Sequence, residues 1–148
     1  MTAAAPLPVQ YAAVPYRFGE TGLEVLLATS RGTGRWVIPK GWPMKGRKPR
    51  EAAAIEAAEE AGVRGAVRKK PFGRFVYWKR MPEGFVLCDV VVFGLEVKSE
   101  LDNFREKGQR SLEWFPAEVA ADKVDEPGLS TLLRRLPDRV RPRRKATA

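Results

Sequence analysis

The sequence has 148 residues, with 27 Lys and Arg against 18 Asp and Glu, so its formal net charge is +9. This length suits one domain, because domains commonly hold about 100–150 residues. There is no His and a single Cys, Cys88. Imidazole bases, Ser-His-Asp triads, His-based zinc sites and an internal disulfide are therefore excluded. Metal ligands would have to be oxygens, which favours Mg²⁺ or Mn²⁺.

No segment has the character of a targeting or membrane element. The first ten residues lack both the basic start and the unbroken apolar stretch of a secretory signal. The most apolar stretch, residues 84–97, contains Asp89 and is too short to span a bilayer. These features predict a cytoplasmic protein with no membrane partner.

Apolar alternation and β-branched runs, bounded by Gly and Pro, predict most of the strands. The predicted strands cover residues 9–17, 23–29, 35–38, 64–70, 73–80, 85–97 and 111–115. Gly- and Pro-rich stretches predict loops or turns at 30–34, 41–48 and 81–84, and a further loop covers 99–109.

The clearest helix is predicted over residues 49–61, where Pro49 suits the first turn, six Ala residues follow and Gly62 supplies a stop. Two further helices are predicted near 116–122 and 127–136. This order of strands, one helix, strands and two helices predicts an α/β (α+β) fold, in which helices pack on a mixed sheet.

The chain is predicted to hold one domain over residues 9–137, after a flexible lead-in at 1–8 and before a basic, disordered tail at 138–148. The last ten residues contain five of the 27 basic residues and no acid. Such a tail confers solubility or non-specific attraction to polyanions, or it is a nucleic-acid arm. Nucleic acid is thus a possible partner but not the favoured one, and the oligomeric state stays open.

Glu56, Glu59 and Glu60 stand at i, i+3 and i+4 and share one sector of the predicted helix. Such a face is either solvated or a binding site for a divalent ion, which would relieve the repulsion between the carboxylates. No Lys or Arg follows any of these acids at i+4 within the helix, although a solvated face usually intersperses such partners. The opposite side is predicted to pack on the sheet through small residues, namely Ala54, Ala58 and Ala61.

Residues 41–63, GWPMKGRKPREAAAIEAAEEAGV, resemble the Nudix box, G-x5-E-x7-R-E-U-x-E-E-x-G-U, where U is aliphatic. Gly41 matches the opening glycine and Glu56 the Glu of the R-E pair. Glu59 and Glu60 match the E-E pair, and Gly62 with Val63 matches the close. The resemblance implies a Nudix-type α/β/α sandwich with the box helix packed on the mixed sheet.

The resemblance also implies a Mg²⁺ or Mn²⁺ cofactor bound by Glu56, Glu59, Glu60 and Gly41. Two positions depart from the box, since Arg47 stands for its first Glu and Ile55 for its Arg. In the family that Arg orients a catalytic Glu, and the apolar side chain at position 55 cannot donate a hydrogen bond.

Two stretches outside the box, VLLATSRGTGRWVIPKG and EKGQRSLEWF, resemble the diphosphoinositol polyphosphate phosphohydrolase branch of the family. That branch cleaves diphosphate groups of inositol polyphosphates and also dinucleoside polyphosphates. The similarity puts Ser30 and Arg31 where the branch holds substrate phosphates, and Arg35 precedes the matching Trp36. Val9 and Tyr11 stand where the branch has basic residues.

The candidate catalytic residues are Glu59, Glu60 and Glu106, of which one would act as base. Glu106 lies in the loop REKGQ and is either a further ligand or base, or an exposed loop acid. A basic mouth for a polyphosphate is predicted from residues around the glycine loop and one strand. These candidate substrate-binding residues are Ser30, Arg31, Arg35, Lys40, Lys45, Arg47 and Lys79.

Each of these cations could equally be a solvated surface charge, and Arg47 could pair with Glu51 one turn on.

In the strand at 73–80, Phe75 shares one face with Tyr77, while Val76 and Trp78 share the other. One face is predicted to enter the core. An aromatic on the other face is interpreted first as a core-packing residue, and the alternative is that it stacks on a substrate ring.

The leading hypothesis is a Mg²⁺- or Mn²⁺-dependent hydrolase that splits a diphosphate linkage in a small anionic substrate. The candidate substrates are a dinucleoside polyphosphate, a diphosphoinositol polyphosphate or a nucleoside diphosphate linked to another group. Two alternatives stay open. One is a catalytically impaired module that binds a phosphorylated ligand or RNA, and the other is an RNA 5′-end pyrophosphohydrolase.

Overall fold

The computed structural model of the protein describes residues 6–142, which contain eight strands and three helices. In chain order the elements are β1 (Val9–Gly19), β2 (Gly22–Thr29), β3 (Trp36–Val37), β4 (Lys40–Gly41), α1 (Pro49–Ala61), β5 (Val63–Val67), β6 (Gly73–Met81), β7 (Gly84–Glu100), β8 (Leu112–Pro116), α2 (Ala117–Lys123) and α3 (Pro127–Arg139).

The strands form one mixed sheet in the order β3-β2-β1-β7-β5, with β4 paired to β1, β6 to β7 and β8 to β2. The central pair, β1 and β7, is parallel from Val9–Asp89 to Tyr16–Glu96, and every other pair is antiparallel. The connection between β1 and β7 contains α1, as a parallel pair requires a long crossover.

Helices cover both faces of the sheet, and alternate residues of its strands enter two separate cores. Ala13 and Leu26 face α1, in a cluster with Ala53 and Ala57 of that helix. Their strand neighbours face α2 and α3, and this second cluster includes Val14, Leu27, Phe75, Leu129 and Leu133. Because both faces are covered, the central strands consist largely of apolar residues. The predicted α/β/α sandwich is confirmed.

Several predicted boundaries differ from the observed ones. The segment 35–38 contains only β3. β4 was not predicted: Lys40 was left unassigned and Gly41 was placed in a loop, because Pro39 interrupts the run and two residues carry no periodic signal. The strand predicted at 64–70 ends at Val67, and the lysines that follow are exposed in a loop. β7 extends to Glu100 and α3 to Arg139, three residues beyond each prediction.

The packing face of α1 was predicted one position away from the observed one. Ala54 and Ala58 are half-buried, whereas Ala53 and Ala57 are fully buried against the sheet, with Ala61 completing the row. Small side chains at i, i+4 and i+8 let the helix approach the strands closely. This rotation also turns one of the three glutamates, Glu60, towards the interior.

Parts of the predicted terminal segments fall outside residues 6–142. Pro8, in the predicted lead-in, accepts a hydrogen bond from the Asp89 N–H to its carbonyl at 2.9 Å. In the predicted tail, Arg139 belongs to α3 and Val140 is buried, 3% exposed. Residues 1–5 and 143–148 lie outside the described part of the chain. Among the helices in 6–142, none is long and apolar enough to cross a membrane.

Candidate active site

The last turns of α1 carry the three glutamates, and the two ends of the helix fix their position. Pro49 suits the first turn, and Glu51 Oε1 accepts a hydrogen bond from the Lys48 N–H at 2.8 Å. Gly62 ends the helix in a left-handed conformation with φ of 66°, and its N–H donates to the Ala58 carbonyl at 3.2 Å. The carboxylates therefore project from a helix with defined ends.

Glu60 is the most buried of the three, with 6% of its surface exposed. Its Oε2 accepts the backbone N–H of Lys40 at 3.1 Å, and its Oε1 lies 3.2 Å from Nη2 of Arg110. Burial, together with a hydrogen bond shared with Glu56, raises the pKa of Glu60 to about 8. Burial also raises the pKa of Glu56. Both shifts favour the protonated forms of these two neighbouring carboxyl groups.

Gly41 contributes space to this pair. It lies in β4, where it pairs with Tyr11 of β1, and a Cβ at this position would overlap the carboxylate of Glu56. A larger residue at position 41 would force the Glu56 side chain to move away from the strand. The predicted role of Gly41 at the metal site is therefore accompanied by a steric one that the sequence pattern did not reveal.

Glu59 is half-buried and points towards Arg105, whose Nη1 lies 3.6 Å from its Oε2. The Arg105 side chain is 75% exposed, so this ion pair is weak and readily exchanged. The backbone of Glu59 is held more firmly, because its carbonyl accepts the Glu106 N–H at 2.9 Å. This bond ties the loop between β7 and β8 to the box helix.

That loop brings Glu106 into the site. Its side chain is 15% exposed, so it is not the exposed loop acid of the alternative interpretation. Its Oε1 accepts a hydrogen bond from Arg110 Nε at 3.0 Å and lies 3.5 Å from Arg31 Nε. Glu106 and Glu60 are therefore neighbours that share one arginine.

Arg110 is a residue of this site that the sequence analysis missed. Its side chain is 11% exposed and contacts both Glu60 and Glu106, and its Nη1 donates to the Thr29 carbonyl at 3.1 Å. Two signals in the sequence could have indicated it. Ile55 leaves the box without its arginine, and Arg110 follows Glu106 at i+4.

A cavity of about 690 Å³ opens beside these carboxylates, with Glu60 and Arg110 in its wall. Five of the seven predicted substrate-binding residues line it, namely Ser30, Arg31, Arg35, Lys40 and Lys79. The other two, Lys45 and Arg47, are exposed and lie outside its lining. Within residues 6–142 no ion pair joins Arg47 to Glu51. The structure thus gathers most of the predicted basic mouth in one place.

The inner part of the cavity is polar, and of its residues named here only Lys40 was predicted as a site residue. Lys40 lies inside it, and burial lowers the pKa of its ammonium group, which is 4.8 Å from the centroid of the Tyr77 ring. The Tyr77 hydroxyl donates to Gln10 Oε1 at 2.6 Å. Glu126, at the start of α3, has a buried Oε2 that lacks a hydrogen-bond partner among the described residues.

The outer rim of the cavity is aromatic and belongs to the β6–β7 hairpin. Trp78 is 61% exposed and Phe85 67% exposed, and both line the opening. On the other face of the same strand Phe75 is buried in the core. The predicted core face therefore agrees with the structure, whereas the alternative of core packing for the aromatic on the other face does not, since Trp78 is exposed.

The donor set fits a hard divalent ion, although the carboxylates are not gathered around one point. In the described part of the chain no three Asp, Glu or Cys side chains come close enough to hold an ion, because Glu59 turns to Arg105 and Glu60 to Arg110. The buried Glu60 and the half-buried Glu56 beside it nevertheless offer the carboxylate oxygens that Mg²⁺ or Mn²⁺ prefers.

The class of the protein follows from this fold and site. The family model of the NUDIX domain matches residues 7–136, and the chain belongs to the Nudix family. The resemblance found in residues 41–63 is thereby confirmed, and with it the prediction of a hydrolase. The match extends well beyond the box and covers almost the entire folded region.

Two curated relatives come from Arabidopsis thaliana. The protein is 31% identical to Nudix hydrolase 16, mitochondrial, over 81% of this chain and 74% of that protein. It is 33% identical to Nudix hydrolase 12, mitochondrial, over 68% of this chain and 51% of that protein. The chain thus spans about three quarters of the first relative and about half of the second.

Solved structures show the same fold at low identity. The Ap4A hydrolase of C. elegans aligns with a TM-score of 0.64 and 19% identity, over 88% of this chain and 96% of that one. The NUDIX domain of Shewanella oneidensis NrtR, solved with ADP ribose, aligns with a TM-score of 0.66 and 16% identity, over 92% and 90%. The common fold is an α+β sandwich with a mixed sheet.

Proposed function

We propose that this protein hydrolyses a diphosphate linkage in a small, highly anionic substrate, with help from Mg²⁺ or Mn²⁺. The observation that carries the proposal is the buried Glu60, with Glu56 one turn before it on α1, in the wall of a cavity lined by cations. A polyphosphate chain needs positive charge along its length and a carboxylate close to the bond that breaks. This site supplies both within about 690 Å³, a volume in the usual range for a small-molecule pocket.

The cations of the cavity would bind and orient the phosphates. Arg31 and Arg35 offer planar guanidinium groups suited to bidentate contacts, and Lys40 and Lys79 offer point charges. Ser30, whose hydroxyl is hydrogen-bonded to Thr33, adds a neutral donor at the same edge. Positioning of this kind supplies much of the catalysis in phosphoryl chemistry.

The glutamates would manage the proton and the divalent ion. Glu56, Glu59 and Glu60 would hold the ion, which neutralises phosphate charge and makes a water more nucleophilic when bound. Glu59 needs only to leave its exposed contact with Arg105 to join them. A neighbouring carboxylate, from Glu59, Glu60 or Glu106, would accept the proton of the attacking water.

The inner cavity favours a substrate that carries hydrogen-bond donors next to its phosphates. Glu126 Oε2 is a buried acceptor with no protein donor in the described region, and a hydroxyl or amino group would satisfy it. A further phosphate there would be repelled. A nucleoside polyphosphate therefore fits better than an inositol ring that bears phosphates on every side, even though the flanking sequences resemble the diphosphoinositol branch.

The exposed aromatic rim supports the same substrate class. A flat ring stacked on Trp78 or Phe85 would lie at the mouth of the cavity, with its phosphates directed inwards towards the cations. Base stacking on an aromatic side chain contributes about 1–3 kcal/mol. Dinucleoside polyphosphates and nucleoside diphosphates linked to another group are the candidates that combine a base, hydroxyls and a diphosphate.

The rival hypothesis is a module that binds phosphorylated ligands without cleaving them, as the replacements at positions 47 and 55 would suggest. One experiment separates the two. Purified protein is incubated with Mg²⁺ or Mn²⁺ and a panel of dinucleoside polyphosphates, nucleotide sugars, nucleoside triphosphates, diphosphoinositol polyphosphates and 5′-triphosphate RNA, and released nucleotide and phosphate are measured. Glu59→Gln and Glu60→Gln run beside the wild type.

We expect metal-dependent turnover of a nucleoside-containing substrate, and a loss of at least about 100-fold in each variant, because these carboxylates act directly on the reaction. Glu118→Gln, an exposed change on α2, serves as the matched control and keeps the wild-type rate. Faster cleavage of the inositol substrate would overturn the nucleoside preference. Tight binding without turnover of any substrate would favour the binding module.

A further inference from the structure

The Nudix box of this chain lacks its arginine, and the structure contains a buried arginine close by from another part of the sequence. Ile55 occupies the box position on α1 and has no hydrogen-bond donor. Arg110 lies in the loop between β7 and β8, 55 residues further along the chain. Its side chain is 11% exposed, so its guanidinium is removed from water and must be fully partnered.

The contacts of Arg110 are directed at the acidic residues of the site. Nη2 lies 3.2 Å from Glu60 Oε1, Nε donates to Glu106 Oε1 at 3.0 Å, and Nη1 donates to the Thr29 carbonyl at 3.1 Å. All three nitrogens of the planar guanidinium group are thus engaged. Two of them hold carboxylates, and the third anchors the guanidinium group to the backbone at the end of β2.

The loop that carries Arg110 is held at both ends. On one side the Ser111 N–H donates to Thr29 Oγ1 at 2.9 Å, and the Thr29 N–H donates to the Ser111 carbonyl at 3.0 Å. On the other side Glu106 is bonded through its N–H to the carbonyl of Glu59. The guanidinium is therefore oriented in advance by backbone contacts to the sheet and to the box helix.

We propose that Arg110 is the positioning residue of this site and replaces the missing box arginine by holding Glu60 and Glu106 in register beside the cavity. The inference rests on the proposed hydrolysis, and it explains how a box with Ile55 can remain active. Second-sphere groups that orient metal-binding carboxylates commonly affect metal affinity or activity by about 10- to 100-fold. Arg110 acts through these two carboxylates, not through the substrate.

The test compares Arg110→Gln and Arg110→Lys with Arg134→Gln, which removes a surface ion pair with Asp122. Three quantities are measured for each purified variant: kcat and KM, Mn²⁺ affinity by calorimetry, and melting temperature. For Arg110→Gln we expect a fall of about 10- to 100-fold in kcat, weaker Mn²⁺ binding and a KM within about threefold of the wild type. Arg110→Lys should be intermediate, and Arg134→Gln should match the wild type.

Several results would overturn the inference. A folded Arg110→Gln variant with wild-type kcat and Mn²⁺ affinity would remove the role, and a rise in KM at constant kcat would assign Arg110 to substrate binding. If Arg110→Gln does not fold, Arg110→Lys decides, since a lysine keeps the charge but cannot span both carboxylates. If the wild type cleaves nothing on the panel, the proposed function fails. The role of Arg110 is rejected separately if the wild type and Arg110→Gln bind Mn²⁺ with equal affinity.

Discussion

At the residue level, the burial of Glu60 makes its negative charge energetically costly. It lies on the sheet-facing side of α1, with its two oxygens directed at the Lys40 N–H and at Arg110. The backbone donor and the guanidinium offset part of the cost of burial, but not all of it, since the pKa of Glu60 is raised to about 8. A bound cation would offset the remainder.

This raised pKa predicts how the stability of the metal-free protein depends on pH. Unfolding returns the Glu60 carboxyl to a pKa of about 4.3, so between that pH and about pH 8 the folded chain retains a proton that the unfolded chain releases. Stability should therefore fall as the pH rises through this window, by at most about 1.4 kcal/mol per pH unit. Thermal unfolding in EDTA between pH 5 and pH 8.5 measures the slope.

A bound ion should reverse this trend, because it requires the carboxylate to be deprotonated. The rise in melting temperature on adding Mn²⁺ is expected to be larger at pH 8 than at pH 6. Glu60→Gln mimics the protonated acid and should flatten the slope without metal, whereas the exposed Glu118→Gln should keep it. A slope in Glu60→Gln equal to that of the wild type would place the titration elsewhere.

At the scale of elements, the β6–β7 hairpin forms one wall of the cavity beside Glu60. Its strand β6 puts Phe75 into the core and leaves Val76 and Trp78 on the free face. Trp78 lines the cavity and Val76 does not. The hairpin can therefore recognise the substrate through exposed side chains that contribute little to the core.

Replacing Trp78 should accordingly affect recognition and leave folding intact. For Trp78→Ala we expect KM for a dinucleoside polyphosphate to rise about 5- to 100-fold through lost stacking, with kcat and melting temperature nearly unchanged because the indole is 61% exposed. Val76→Ala, also on the free face and 52% exposed, is the matched control. Steady-state kinetics of both variants would reveal equal KM values if Trp78 does not touch the substrate.

At the scale of the whole molecule, the excess of positive charge raises the question of nucleic acid. The net charge is +9, and part of it lies beyond the described residues. The structure indicates where a truncation can be made safely. Because α3 continues to Arg139 and Val140 is buried, a cut after Pro142 removes three basic residues without touching the core.

We expect any RNA binding to be electrostatic and weak, so that it disappears near 150 mM salt. Removing residues 143–148 should weaken binding further at low salt and leave turnover of the small substrate unchanged. Fluorescence polarisation of a labelled 5′-triphosphate RNA, measured across a salt series with both proteins, tests this. Binding that persists at physiological salt in the full chain but not in the truncated one would support the RNA hypothesis instead.

Local sequence patterns were sufficient to predict those helices and strands whose signals lie within a short stretch of chain. Pro49, the alanines and Gly62 define α1 to the residue, and the long apolar runs predict the central strands. Two-residue strands such as β3 and β4 carry no period, so β4 was missed. The face of α1 was placed one position off, because its alanines surround the helix and only contact with the sheet selects a side.

The sequence by itself determined the family, the mixed-sheet sandwich and the acidic helix, because a box of fixed spacing and long apolar runs are local properties of the chain. Only the tertiary structure brought Arg110 between Glu60 and Glu106, put Glu126 into the cavity and left Lys45 and Arg47 outside it. These relations join residues that are far apart in the chain. They depend on how the β7–β8 loop and α3 close over the sheet, and no short stretch of sequence encodes such long-range geometry.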